Sequence, residues 1–129
     1  IYVPRRCMHC NQPGCAAACL VKAMRKRPSG HVTWDANCIG CRLCMVSCPF
    51  DIPKFEYTKA MPRIQKCNLC YDRYKKGGIP ACVEVCPTYC MHFGDLDDPN
   101  SEVSKLLNSR KYHALMTDAG TKPNIFYLE

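Results

Sequence analysis

The stretch CIGCRLCMVSCP, Cys38 to Pro49, sets four thiols at intervals of three, three and four residues and closes them with a proline. Three cysteines so close together let one tight loop wrap its backbone around a single compact centre. The fourth follows a short helical turn, which Pro49 ends while fixing the direction in which the chain leaves.

The pattern recurs on both sides of this stretch. Cys7, Cys10, Cys15 and Cys19 follow C-x2-C-x4-C-x3-C; Cys67, Cys70, Cys82 and Cys86 follow C-x2-C-x11-C-x3-C, again closed by a proline, Pro87. Three degenerate copies imply a stacked or pseudo-symmetric construction. Twelve of the thirteen cysteines fall into these sets. A disulfide-rich secreted domain would want an even count in scattered pairs, so the clustering favours metal. Cys90 is left over and is expected to be a small buried side chain.

A chain of 129 residues is about one domain with one small core. Its formal charge of +7 is poor support for a nucleic-acid surface. An oxidised 4Fe-4S centre with four thiolates carries about −2, and several would offset most of the excess Lys and Arg. The longest apolar runs, Cys15 to Val21 and Cys44 to Phe50, fall far short of the roughly 20 residues that cross a bilayer.

Between the first two motifs, residues 23–25 and 31–34 flank Pro28, Ser29 and Gly30, which predicts a β-hairpin. Short extended segments are expected at Lys54 to Tyr57 and Met91 to Phe93, and single helical turns at Leu43 to Ser47 and Ala81 to Val85. In the cysteine-free tail, Asp98 and Pro99 could start a helix on which Val103, Leu106 and Leu107 keep helical spacing, and Asn124 to Leu128 reads as a closing strand. The tail is expected to lie across the cluster-bearing body. The fold class is α+β, poor in regular structure, with short hairpins and helices wrapped around clusters. Its division is a two-cluster domain at 1–60, half of a second such domain at 61–94, and the tail at 95–129.

A 4Fe-4S cube needs four thiolates converging from different directions. In two-cluster ferredoxins the last cysteine of C-x2-C-x2-C-x3-C-P ligates the neighbouring cluster. Applied here, Cys7, Cys10, Cys15 and Cys48 hold one cluster, and Cys38, Cys41, Cys44 and Cys19 the other. Cys67, Cys70 and Cys82 then supply three corners of a third cluster, and Cys86 serves a fourth. The remaining ligands are expected upstream of Ile1; with nothing upstream, Cys86 or Cys90 would have to close the third cluster locally. Gly40 and Gly14 suit either a close backbone approach to sulfide or ordinary turns. The competing reading is a zinc-stabilised interaction module without a redox role, since paired C-x2-C units also make four-thiolate zinc sites. Against it stand the third closely spaced cysteine and the prolines Pro49 and Pro87.

Arg5, Arg6, Arg42, Lys66 and Arg73 lie near ligand cysteines in sequence and could raise potentials, but most read as solvated charge. The histidines His9, His31, His92 and His113 share no metal spacing and read as structural or exposed. Trp34 and Tyr57 read as packing residues.

The strings CMHCNQPGCAAAC, GHVTWDANCIGCRLCMVSCPFDIPKFEY and KCNLCYDR, with GGIPACVEVCPT and the closing GTKPNIFYLE, carry a resemblance. Together they resemble the four-cluster ferredoxin-like subunit of the molybdopterin oxidoreductase superfamily. That family includes subunits of formate dehydrogenase, dimethyl sulfoxide and polysulfide reductases, a nickel-iron hydrogenase and a domain of alternative complex III. The resemblance implies paired bacterial-ferredoxin-like domains, cubane 4Fe-4S clusters throughout, and a non-catalytic electron-transfer role. It implies as partners a catalytic, molybdopterin-containing subunit and a membrane quinone-reactive subunit or cytochrome, at a prokaryotic membrane with the periplasmic face preferred. Two departures stand out: the family's first motif is absent, and Leu20 follows Cys19 where proline is common.

Overall fold

The computed structural model describes residues 3–129. These form two compact units, residues 3–69 with Leu115–Ile125, and Cys70–Ala114 with Phe126–Glu129.

In the first unit, β1 (Met24–Lys26) and β2 (Val32–Trp34) make an antiparallel hairpin with Met24 opposite Trp34. Its turn is closed by Gly30 N–H on Arg27 O at 2.9 Å, and Gly30 takes φ +82°, which glycine adopts without penalty. A second hairpin joins β3 (Lys54–Phe55) to β4 (Ile64–Gln65) and sets Phe55 opposite Ile64, both buried. Met24, Val32, Phe55 and Ile64 pack with Cys15 and Cys44; a smaller core joins Met8 and Phe50 to Cys10, backed by Cys48, Ile52, Leu115 and Ile125. The apolar residues are few because cysteines occupy so much of both cores.

Two single-turn helices, α1 (Gly14–Ala17) and α2 (Leu43–Val46), carry the ends of the first two motifs. A Cβ at Gly14 would lie 2.9 Å from Ser47 O, so only glycine lets the start of α1 press against the end of α2. That contact brings Cys15 and Cys19 toward Cys44 and Cys48.

The second unit holds α3 (Tyr71–Lys75), α4 (Ala81–Glu84), α5 (Glu102–Ser109) and a ladder of β5 (Tyr112–His113) with β6 (Tyr127–Leu128). Helix α5 begins three residues later than Pro99. The Asp98 carboxylate accepts the Asn100 N–H at 2.9 Å in a local turn, leaving Ser101 as N-cap with its Oγ accepting the Ser104 N–H at 3.1 Å. Ser101→Ala is expected to cost about 1 kcal/mol, read as a lowered midpoint in denaturant unfolding.

Strands β4 and β5 and helix α3 are not anticipated by the sequence pattern, and no strand forms at Met91 to Phe93. The closing strand shrinks to Tyr127–Leu128 because the residues before it are engaged elsewhere. Asn11 N–H donates to Lys122 O at 2.8 Å, Gln12 N–H to Thr121 O at 3.0 Å, and Asn124 N–H to Met8 O at 2.9 Å. Among the described residues no helix is long and apolar enough to cross a membrane.

Candidate metal centres

The repeat seen in the cysteine spacing is also a repeat in the backbone. The second residue after the first cysteine of each copy takes a left-handed conformation: His9 at φ 44°, Gly40 at 71° and Leu69 at 54°. The third residue after each copy's last cysteine does the same, at Lys22, Asp51 and Tyr89. Each of these three N–H groups donates back to its cysteine's carbonyl, at 3.1, 3.1 and 3.2 Å. Left-handed backbone costs a residue other than glycine roughly 1–2 kcal/mol. Such strain persists where the surroundings over-determine it, and such turns build concavities lined with N–H groups that favour anions. Some donors already reach sulfur: Leu69 N–H on Cys67, Met24 N–H on Cys19 and Ala81 N–H on Cys70, each at 3.4 Å.

Within the first unit the thiols of two motifs interleave. Burial pushes the Cys15 thiol up to about 12; Lys66 opposes this, and the neighbouring thiols of Cys7, Cys48 and Cys10 add to it. Burial likewise raises Cys44 to about 11, with Cys38, Cys41 and Cys19 as the neighbours that add to it. Cys48 of the second motif therefore has the first motif's cysteines around it, and Cys19 of the first has the second's. Cys7, Cys10, Cys15 and Cys44 are buried, whereas Cys41 is exposed.

This donor set fits iron-sulfur cubes. Thiols buried to this degree would stay protonated, and bound metal reverses the penalty by taking the proton's place. Among the described residues no disulfide forms, and no three His, Cys, Asp or Glu side chains converge as a single ion requires. Four thiolates ~2.3 Å from one zinc ion would lie roughly 4 Å from each other, whereas a cube holds its thiolates farther apart. His9 adds a second sign. Its Nδ1 accepts the Val32 N–H at 2.9 Å, which puts the ring proton on Nε2. That Nε2 is buried without a partner among the described residues. Burial, then Lys66, His31 and Lys26, hold the ring neutral by lowering its pKa to about 3. A buried N–H donor without an acceptor suits a sulfur-rich group outside the polypeptide.

The third motif is divided, with Cys67 in the first unit and Cys70, Cys82 and Cys86 in the second. Cys86 is 6% exposed but thinly surrounded, so hydrogen bonds with Thr88 and Cys90, that with Thr88 foremost, lower its thiol to about 6. Cys90 departs from its expected burial, for it is exposed; its Sγ lies 3.6 Å from that of Cys86 and accepts from the Thr88 hydroxyl at 3.2 Å. The polar Thr88 and the open turn around Tyr89 leave Cys90 no core to enter.

The basic residues divide. Arg73 pairs with Glu84 at the surface, and Arg42 lies 4.5 Å over the exposed Tyr57 ring. Arg5 and Arg6 line an open groove of about 720 Å³ with Cys7, Cys67, Lys54 and Lys66. Lys66 is different, with its Nζ 3.4 Å from Cys7 Sγ, 2.6 Å from Val32 O and 2.8 Å from Cys67 O. Sequence reasoning missed Lys26 altogether; its Nζ donates to Cys10 O at 3.0 Å and Gly30 O at 3.1 Å. No sequence signal separates such a lysine from a solvated one.

Residues 1–96 match a family model described as a 4Fe-4S dicluster domain. The chain is 42% identical over 112 residues to the hydrogenase-2 operon protein HybA of Escherichia coli O157:H7, covering 82% of this chain and 34% of the relative. It is 40% identical over 151 aligned positions to the Hdr-like menaquinol oxidoreductase iron-sulfur subunit 1 of Archaeoglobus fulgidus, covering 98% and 56%. It is 41% identical over 130 positions to the beta subunit of chlorate reductase from Ideonella dechloratans, covering 98% and 39%. The chain thus spans about a third to just over half of these relatives' lengths.

Proposed function

The chain belongs to the 4Fe-4S dicluster domain family, and from that premise we propose that it is an electron-transfer subunit without substrate chemistry of its own. It relays single electrons between a catalytic, molybdopterin-containing subunit and a membrane quinone-reactive subunit or cytochrome. The observation that carries this is the interleaving of two four-thiol sets beside the buried apolar residues of the first unit, with Cys7, Cys10, Cys15 and Cys44 buried. Cys7, Cys10, Cys15 and Cys48 hold one 4Fe-4S cluster, and Cys38, Cys41, Cys44 and Cys19 the other. Cys67, Cys70 and Cys82 hold three corners of a third, and Cys86 serves a fourth, their remaining ligands lying outside this segment.

Bound there, the clusters supply reversible one-electron chemistry. The chain's residues shield the buried thiols from water and aim N–H groups at sulfur, and would hold the two clusters through the two interleaved thiol sets. We class the fold as α+β, with residues 1–60 as the two-cluster domain. The relatives' printed roles, among them an iron-sulfur subunit of a menaquinol oxidoreductase, support a place in a multi-subunit complex. We place it peripherally on a prokaryotic membrane, on the periplasmic side.

Anaerobic purification should give a brown protein with iron and acid-labile sulfide in equal amounts and broad absorbance at about 400 nm that dithionite bleaches. A colourless sample holding zinc without iron would establish the interaction-module reading instead.

A further inference from the structure

Lys66 has an environment unlike that of the other lysines. An ammonium has three N–H donors, and its acceptors here are Cys7 Sγ, Val32 O and Cys67 O. None is a carboxylate, and the ion pairs formed by lysines among the described residues belong to Lys54 with Asp51 and Lys75 with Asp72. The ammonium is half-buried, with the Trp34 ring centroid 5.7 Å away. Its charge is therefore neither neutralised by an acid nor fully screened by water, and it touches the sulfur of a residue in the Cys7, Cys10, Cys15 and Cys48 set. Lys26 stands on the same side, bonded to the carbonyls of His9, Cys10 and Gly30.

The other set is built differently. Its Cys19 Sγ accepts a backbone N–H, from Met24 at 3.4 Å. The cation in its loop, Arg42, is exposed over Tyr57 and open to solvent screening. Taking up an electron adds one negative charge to a cluster, so a fixed cation at its ligand sulfur stabilises the reduced form and raises the potential.

We propose that Lys66 is the residue that makes the cluster held by Cys7, Cys10, Cys15 and Cys48 the higher-potential member of the pair, through its charged N–H bond to Cys7. This rests on the ligand grouping proposed above. An electron entering the two-cluster domain then resides on the Cys7 side. Because Lys66 directly precedes Cys67 in the chain, the charge also marks where the third motif joins that cluster's surroundings.

The test is an EPR-monitored potentiometric titration of the holoprotein in its complex, with iron and sulfide counted in each variant. Cys15→Ser identifies the signal of the cluster in question. In Lys66→Met that signal's midpoint potential should fall while the others stay, and Lys66→Arg should restore most of the fall. Lys54→Met, which removes an exposed lysine already paired with Asp51, should move none. Should Lys66→Met fail to assemble, Lys66→Gln keeps a polar side chain without the charge and should show the same fall. An unmoved potential in the assembled variant, or an equal shift in every signal or in Lys54→Met, overturns the proposal. Wild-type protein without iron would instead sink the grouping beneath it.

Discussion

Cys48→Ala is expected to abolish the same cluster signal as Cys15→Ala and to spare the one lost in Cys44→Ala. Iron should fall by about four atoms per chain in each single variant. Cys48 lies only four residues from Cys44 in sequence, and α2 with its following turn carries it away from its own loop toward Cys10 and Phe50. Were each motif to bind its cluster locally, Cys48→Ala would mimic Cys44→Ala. Cys19→Ala is the reciprocal case and should mimic Cys38→Ala. Because thiolate binding is also folding free energy, each variant should unfold more readily as well as lose colour.

Gly40→Ala should be nearly as damaging although it removes no ligand. Gly40 takes φ +71°, and a Cβ there would lie 2.5 Å from the Pro62 carbonyl oxygen, a backbone atom that cannot swing aside. The handedness penalty is about 1–2 kcal/mol and the forced overlap adds roughly 1–3 kcal/mol. The strain falls on the loop of Cys38, Cys41 and Cys44, so the expected result is faster bleaching of that cluster in air together with a lower unfolding midpoint. Gly30→Ala is the control. Gly30 has φ +82° with no atom within 4 Å of its would-be Cβ, so it should cost only the handedness term and leave the bleaching rate alone.

The cysteine spacing is sufficient to announce iron-sulfur chemistry, because three copies of a short ligand pattern leave few other chemistries open, while the family is legible from the resemblance of the longer strings around those cysteines. The first hairpin is legible for a similar reason, with a Pro-Ser-Gly turn between apolar residues. Other features have no such mark. His9 and Leu69 hold the left-handed position that Gly40 holds in the second copy, yet neither residue type advertises it. Strand β4 is two residues long, too short to show alternation, and is fixed by Phe55 packing on Ile64. Lys66 reads as surface charge because a side chain's acceptors are chosen by tertiary structure. Cys90 defeats expectation because cysteine is often buried, while its neighbours here are polar and open. The division of ligands between clusters is what the Cys48 variant decides.

The bonds from Thr121, Lys122 and Asn124 to the first motif's loop also have a temporal meaning. Asn124 Nδ2 donates to His9 O at 2.9 Å across 115 positions of sequence. During translation Cys7, Cys10 and Cys15 emerge well before residues 121–124, so the clasp over them cannot form until that later segment has been synthesised. Until then the loop of Cys7, Cys10 and Cys15 lacks these backbone bonds, so the last residues of the first unit to be synthesised complete the enclosure of its first motif.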